Sequence, residues 1–122
     1  MVLGVGIDIV SVKRVEELLN RFGERFLKKI LPEGYDYCLE KRKGELCGCI
    51  AARFALKEAT VKALSQAGYR VGVKDISVKG GGRELSLTVK GLSPKLKLLY
   101  SISHEREFAV AVVNVIETQS LP

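Results

Sequence analysis

Six side chains in this sequence have the types and spacing for chemistry on a phosphorylated ligand. Asp8 interrupts an otherwise apolar opening, Gly4-Val5-Gly6-Ile7-Asp8-Ile9-Val10, while Arg53, Lys57, Glu58 and Lys62 recur at helical spacing in mid-chain. A carboxylate in an apolar strand is costly to bury unless a cation or hydrogen-bond donors compensate it. On a helix, Arg53 and Lys57 lie one turn apart, Glu58 and Lys62 do the same, and the two pairs occupy neighbouring strips of one polar face. If Asp8 and Glu58 converge, their oxygens join water and phosphate oxygens in the sparse octahedral site that magnesium favours. The lysines and the arginine beside it then neutralise the remaining phosphate charge. Such a set suits transfer at phosphorus, where positioning and electrostatic stabilisation supply most of the catalysis. Plainer roles read from the same residues: Asp8 as a helix cap or an arginine's partner, Glu58 and Lys62 as a solvated ion pair. His104, the only histidine, stands in Ser101-Ile102-Ser103-His104-Glu105 at the end of an apolar run, where a turn presents the ring either to a ligand or to solvent.

Other chemistries find less support. No Gly-x-x-x-x-Gly-Lys-Ser/Thr loop occurs, and Gly4-Val5-Gly6 is too short for a dinucleotide fingerprint. Cys38, Cys47 and Cys49 are an odd count without an export signal, so they read as free, structural thiols of a reducing cytosol. On a helix Cys47 and Cys49 point roughly 200° apart, which argues against zinc. The opening run is too short and too early interrupted for a secretory leader, and no stretch is long enough to cross a bilayer, so the expected location is cytoplasmic, away from membranes. A net charge of +6 implies an anionic partner. Nucleic acid is the weaker choice, because the basic residues Lys28, Lys29, Lys41, Arg42 and Lys43 carry no interleaved aromatic platform and such a module gives Asp8 no purpose.

The elements that must position these residues follow from periodicity. Residues 2–10 alternate, with Leu3, Val5, Ile7 and Ile9 on one face and Gly4, Gly6, Asp8 and Val10 on the other, which predicts a strand with one packed face. Ser11 is placed to cap a helix carrying Val15, Leu18, Leu19 and Phe22, and Gly23 to stop it. Residues 24–43 predict one or two short helices, and Glu45 to Gln66 the longest helix, with Ala52, Ala55, Leu56, Ala59 and Ala63 in a stripe that permits close packing. Val71–Val78 and Leu85–Val89 flank a glycine run as one hairpin; Leu98–Ser103 and Phe108–Ile116 form a second, its last strand apolar enough to be central or covered. With 47% hydrophobic residues in 122, the chain predicts one compact α+β domain over residues 1–122, an N-terminal strand and several helices leading to a mainly antiparallel sheet.

The opening motif, Arg53-Phe54-Ala55-Leu56-Lys57-Glu58-Ala59-Thr60-Val61-Lys62-Ala63, and Ser101-Ile102-Ser103-His104 together resemble holo-acyl-carrier-protein synthase, the small bacterial 4′-phosphopantetheinyl transferase. The resemblance implies that fold, and transfer of the phosphopantetheine arm of coenzyme A to a serine of apo acyl carrier protein with release of adenosine 3′,5′-bisphosphate, in fatty acid biosynthesis. It implies Asp8 and Glu58 as magnesium ligands, Asp8, Glu58 and Lys62 as the catalytic set, and Arg53, Lys57, Lys62 and His104 as contacts to the coenzyme A phosphates. It further implies a homotrimer with active sites between subunits, and Arg14, Arg21 and Arg25 as the docking face for the acidic carrier. Two departures bear on the nucleotide: Leu64-Ser65-Gln66-Ala67-Gly68 replaces the family's usual Gly-Thr-Gly loop, and Gly82-Arg83-Glu84 its Gly-Lys-Pro turn.

Overall fold

The computed structural model describes residues 1–118, the Lys43 side chain excepted. The elements run β1 (Val2–Ser11), α1 (Val12–Phe22), α2 (Glu24–Ile30), α3 (Asp36–Lys41), α4 (Leu46–Gln66), β2 (Ile76–Lys79), β3 (Ser86–Val89), β4 (Leu96–His104) and β5 (Phe108–Glu117). Local chemistry sets the boundaries of the first helix. Ser11 Oγ accepts the Arg14 N–H at 3.2 Å, and Gly23, at φ 57°, turns the chain out of α1.

The fold is α+β. An antiparallel sheet has the order β1-β5-β4, and β2-β3 form a separate antiparallel hairpin. The apolar last strand is central, as its composition requires: Ala109, Ala111, Val113 and Val115 on its inner face are all buried. Helix α4 lies across that face, and Ala55, Leu56, Ala59, Ala63 and Leu64 join those valines and alanines in one core, with Ile76, Val78 and Val89 of the small hairpin. A second cluster, around Val15, Leu27, Ile30, Leu31, Ile50 and Ala51, fastens α1 and α2 to the other end of α4.

The face of β1 that packs is the glycine face, a choice that alternation alone leaves open. A Cβ on Gly6 would stand 2.7 Å from Ala63 N and 2.9 Å from Ala59 C, and one on Gly4 would meet the Ala63 and Ala67 backbone. Only glycine lets the backbones of β1 and α4 approach so closely. The alternation of the strand then turns Ile7 and Ile9 outward, 61% and 64% exposed, and the outer sheet face continues through Val5, Leu99, Phe108 and Val110. A slip in the β1–β5 register between Val2 and Gly4 returns Leu3 to the core.

Two of the three cysteines depart from expectation. Cys38 in α3 and Cys49 in α4 form a disulfide, and Cys47 is the free thiol. The pairing arises because the turn after α3 brings the two Cα atoms to 5.6 Å, inside the range a disulfide spans.

Candidate functional site

The step from Gly4 to Gly6 along β1 follows a one-turn step from Ala63 to Ala59 along α4. Two strand residues and four helical residues each cover about 6 Å. Asp8 therefore falls level with the turn from Ala55 to Ala59, which carries Glu58, and Lys62 follows on the same strip. Lys62 Nζ donates to Asp8 Oδ1 at 2.9 Å and to the Ile7 carbonyl at 3.0 Å. The Asp8 side chain is 17% exposed and that of Lys62 54%, so the pair sits half in solvent at the mouth of the seam. Its attraction is correspondingly screened, and its value lies in holding two groups at one place.

Since β1 is an edge strand, its outward N–H and C=O groups need partners. Lys62 supplies one, and Gln66 Oε1 supplies the other by accepting the Val5 N–H at 2.7 Å. Gln66 belongs to the segment that departs from the family's Gly-Thr-Gly pattern, and here its amide closes the edge of the sheet.

Arg53 and Lys57 leave this strip, which corrects the expectation of a single polar face on α4. Both are buried, because α2, α3 and β2 cover their side of the helix. Lys57 ends on Glu33 Oε1 at 2.7 Å and the Ile30 carbonyl at 2.8 Å, with no exposed side-chain surface from which to touch a ligand. The phosphate contact that the resemblance implies for Lys57 is therefore withdrawn.

Arg53 instead lines a cleft of 630 Å³ on the far side of α4, shared with Tyr37, Arg42, Arg83, Ser101, Ser103 and His104. Its Nη1 donates to the Val78 carbonyl at 3.1 Å, Nη2 to the Gly80 carbonyl, and Nε to Cys38 Sγ at 3.3 Å; the Tyr37 ring lies 5.5 Å from Cζ. Burial pulls the guanidinium down from its ordinary value, and Glu33 and then Tyr37 oppose the shift, so the group stays a cation. His104 packs on the helix at Gly48, where a Cβ would stand 2.7 Å from Nδ1, and its Nε2 is 3.9 Å from Glu45 Oε2. Gly48, in the first turn of α4, is the space for this ring. Tyr37 and Arg42 were not assigned to a phosphate site from the sequence; Arg83, in the turn that replaces Gly-Lys-Pro, returns a cation to the same wall.

None of Asp8, Glu58 and Lys62 lines that cleft. One chain thus holds two separate groupings, a carboxylate–lysine seam and an arginine–histidine cleft. Among the described residues, no three His, Cys, Asp or Glu side chains gather in the manner of a closed metal cluster. Asp8 has one oxygen outside the ion pair, a hard donor of the kind that magnesium takes with water or phosphate completing the shell, and Glu58 would offer the same donor type. Arg14, Arg21 and Arg25 are exposed on α1 and α2. Arg25 borders an apolar groove with Leu18, Phe22, Phe26, Lys29 and Ile30, and Arg21 lies 5.2 Å from the Phe22 ring centre.

Hard oxygen donors and cations divided between two sides of one helix suit a ligand that carries several phosphates, and define a phosphate-handling α+β domain. Comparison with known proteins narrows the class: the chain belongs to the 4′-phosphopantetheinyl transferase superfamily, whose family model matches residues 4–113. It is 40% identical to the holo-[acyl-carrier-protein] synthase of Halothermothrix orenii, the match covering 93% of this chain and 96% of that protein. The enzyme of that name from Chlorobium chlorochromatii is 44% identical over 88% of this chain and 95% of its own. Among solved structures, the Helicobacter pylori holo-[acyl-carrier-protein] synthase in complex with coenzyme A superposes with a TM-score of 0.72 at 36% identity, covering 92% of this chain and 99% of that one.

Proposed function

We propose that this protein transfers the 4′-phosphopantetheine group of coenzyme A to a serine of apo acyl carrier protein, releasing adenosine 3′,5′-bisphosphate. The observation that carries the reading is the Asp8–Lys62 pair on the glycine-packed seam, level with Glu58, in a chain whose relatives bear the name holo-[acyl-carrier-protein] synthase. Asp8 and Glu58 would hold magnesium, which when bound supplies positive charge against the pyrophosphate of coenzyme A. Glu58 draws the proton from the attacking serine hydroxyl. Lys62, an ammonium with donors to spare beyond Asp8, takes up negative charge as it spreads over the phosphate leaving group. Arg53 and His104 bind the nucleotide phosphates from the cleft, with Arg83 beside them.

The active form is a homotrimer with sites between subunits. Its support is the outer sheet face, where Val5, Ile7, Ile9, Leu99, Phe108 and Val110 are all exposed large apolar side chains, a surface of the kind that marks an interaction site. A neighbouring copy packed there brings the cleft of one chain to the seam of the next and completes a site that each chain holds only in halves. Arg14, Arg21 and Arg25 dock the acidic carrier, with the Leu18–Phe22 groove taking its apolar residues. The setting is fatty acid biosynthesis in the cytoplasm, with coenzyme A and the carrier as partners in place of nucleic acid or membrane. No described helix is long and apolar enough to cross a bilayer.

The test is direct: incubate the protein with coenzyme A, magnesium and apo acyl carrier protein, and weigh the carrier by mass spectrometry. The expected product is heavier by one phosphopantetheine group. An unchanged mass across a panel of bacterial carriers would overturn the reading.

A further inference from the structure

Lys57 and Glu33 form an ion pair sealed inside the protein, and no step of the proposed reaction uses them. Their hydrogen bonds do not end at the pair. Glu33 Oε1 takes Lys57 Nζ at 2.7 Å, and its Oε2 accepts the Val78 backbone N–H at 2.8 Å. The carbonyl of that same Val78 accepts from Arg53 Nη1 at 3.1 Å, and Gly80, two residues on, accepts from Nη2. Lys57 in turn is anchored on the Ile30 carbonyl, at the end of α2, at 2.8 Å. An unbroken path therefore runs from the end of α2 through Lys57, Glu33 and Val78 to the guanidinium that enters the cleft.

A buried ion pair is poor evidence for stability, since apolar residues of similar size often serve as well or better. What an apolar pair lacks is an acceptor at a fixed point. β2 is paired with β3 on one side only, and Val78 turns its N–H to the other side, where Glu33 receives it. Glu33 thus sets where the Val78–Gly80 backbone stands, and that backbone sets the plane of Arg53. Scaffold contacts occupy three of the guanidinium's five N–H groups, leaving two for a ligand. A planar fork recognises phosphate well only when its plane is held.

We propose that Glu33 and Lys57 are positioning residues, which aim Arg53 at a phosphate of the nucleotide by fixing the Val78–Gly80 backbone. This deepens the proposed function and rests on it for the identity of the ligand. The test is the paired change Glu33→Leu with Lys57→Met, which removes both charges together and so leaves neither stranded. The expected result is a folded protein with kcat within about twofold of the parent, KM for the carrier unchanged, and KM for coenzyme A raised about tenfold. In an Arg53→Ala background the paired change should raise KM no further, because the group it aims is already gone. A merely structural role predicts losses that add, and additive losses or an unaltered KM for coenzyme A would overturn the proposal.

Should the pair fail to fold, Glu33→Asp carries the test. It keeps a carboxylate for Lys57 and shortens the reach to Val78, and a parental KM for coenzyme A in that variant refutes the positioning role. Calorimetric titration with adenosine 3′,5′-bisphosphate reads the cleft without turnover. Binding without transfer would count against the proposed reaction while still testing this proposal through the variants; a parent that does not bind the nucleotide overturns both.

Discussion

Replacing Gly6 by alanine should damage stability and transfer together, through a single displacement. The added methyl would stand 2.7 Å from Ala63 N and 2.9 Å from Ala59 C, and nearer still to the Ala59 carbonyl oxygen. All of these are helix backbone, which cannot rotate aside as a side chain can. To restore ordinary contact with that oxygen α4 must withdraw from β1 by about 1.5 Å, and a gap of only about 0.5–1 Å already forfeits roughly a quarter to a half of the dispersion attraction across it. Adding the strain usual in an overfilled core gives a loss of about 3 kcal/mol, a large part of a typical domain's total. The same retreat carries Glu58 and Lys62 away from Asp8, and a misplacement of about 1 Å in a catalytic constellation can cost about a hundredfold in rate. Urea unfolding at fixed protein concentration, with the slope checked for constancy, measures the first effect; mass spectrometry of the carrier measures the second. Gly44→Ala is the control, since a Cβ there meets nothing within 4 Å. Gly6→Ala within about 0.5 kcal/mol of the parent, the range of an ordinary surface change, and with most of its transfer rate intact, would refute the close-packed seam.

Asp8→Asn and Glu58→Gln should each lower magnesium-dependent transfer at least a hundredfold while the thermal unfolding midpoint stays nearly constant; near-parental activity in either variant breaks the shared metal site. Arg14→Glu should raise the KM for carrier protein several-fold and leave that for coenzyme A alone, and equal losses for both substrates would sink the docking assignment. Replacing Cys38 and Cys49 together by serine removes a cross-link between residues 11 apart in sequence, for which chain entropy gives a loss of just under about 3 kcal/mol, read as a lower urea midpoint that dithiothreitol no longer affects. Burial first, and Glu16 second, push the Cys47 thiol above its ordinary value. Its thiolate, the reactive form, should therefore keep increasing at pH values where free cysteine has levelled off, and iodoacetamide labelling that levels off with free cysteine would contradict this.

Much of the fold is legible in the sequence because its signals are local. Ser11 and Gly23 mark the ends of α1 through a hydroxyl and a positive φ, properties of single residues. The apolar run from Phe108 names the central strand, because only a strand with neighbours on both edges and a helix beneath tolerates such composition. What escaped depends on contacts between distant segments. The Cys38–Cys49 bond needs the geometry of the turn between α3 and α4. Lys57 and Lys62 are both lysines on one helix, and a helical wheel supplies their angle but not what covers each side. Glu33, Val78 and Ile30 bury the first, and β1 leaves the second half exposed.

Which face of β1 packs is not legible in its alternation, because both faces of that strand carry a packing signal, and the signals conflict. Val5, Ile7 and Ile9 argue for one side by hydrophobicity, while Gly4 and Gly6 argue for the other by the close approach they allow. Within a single chain the glycines prevail: α4 can lie flat only where no Cβ intervenes, and its alanines then bury more of the helix than three branched side chains could admit. The branched face is left over, and 61% exposure at Ile7 is not a resting place for an isoleucine in water. An alternating strand with glycine on one face and isoleucine on the other gives its glycine face to a helix of its own chain and leaves its branched face for the second copy of the proposed trimer. Asp8 lies on the glycine side of that division, which is why the carboxylate that seemed out of place among apolar residues comes to face Lys62.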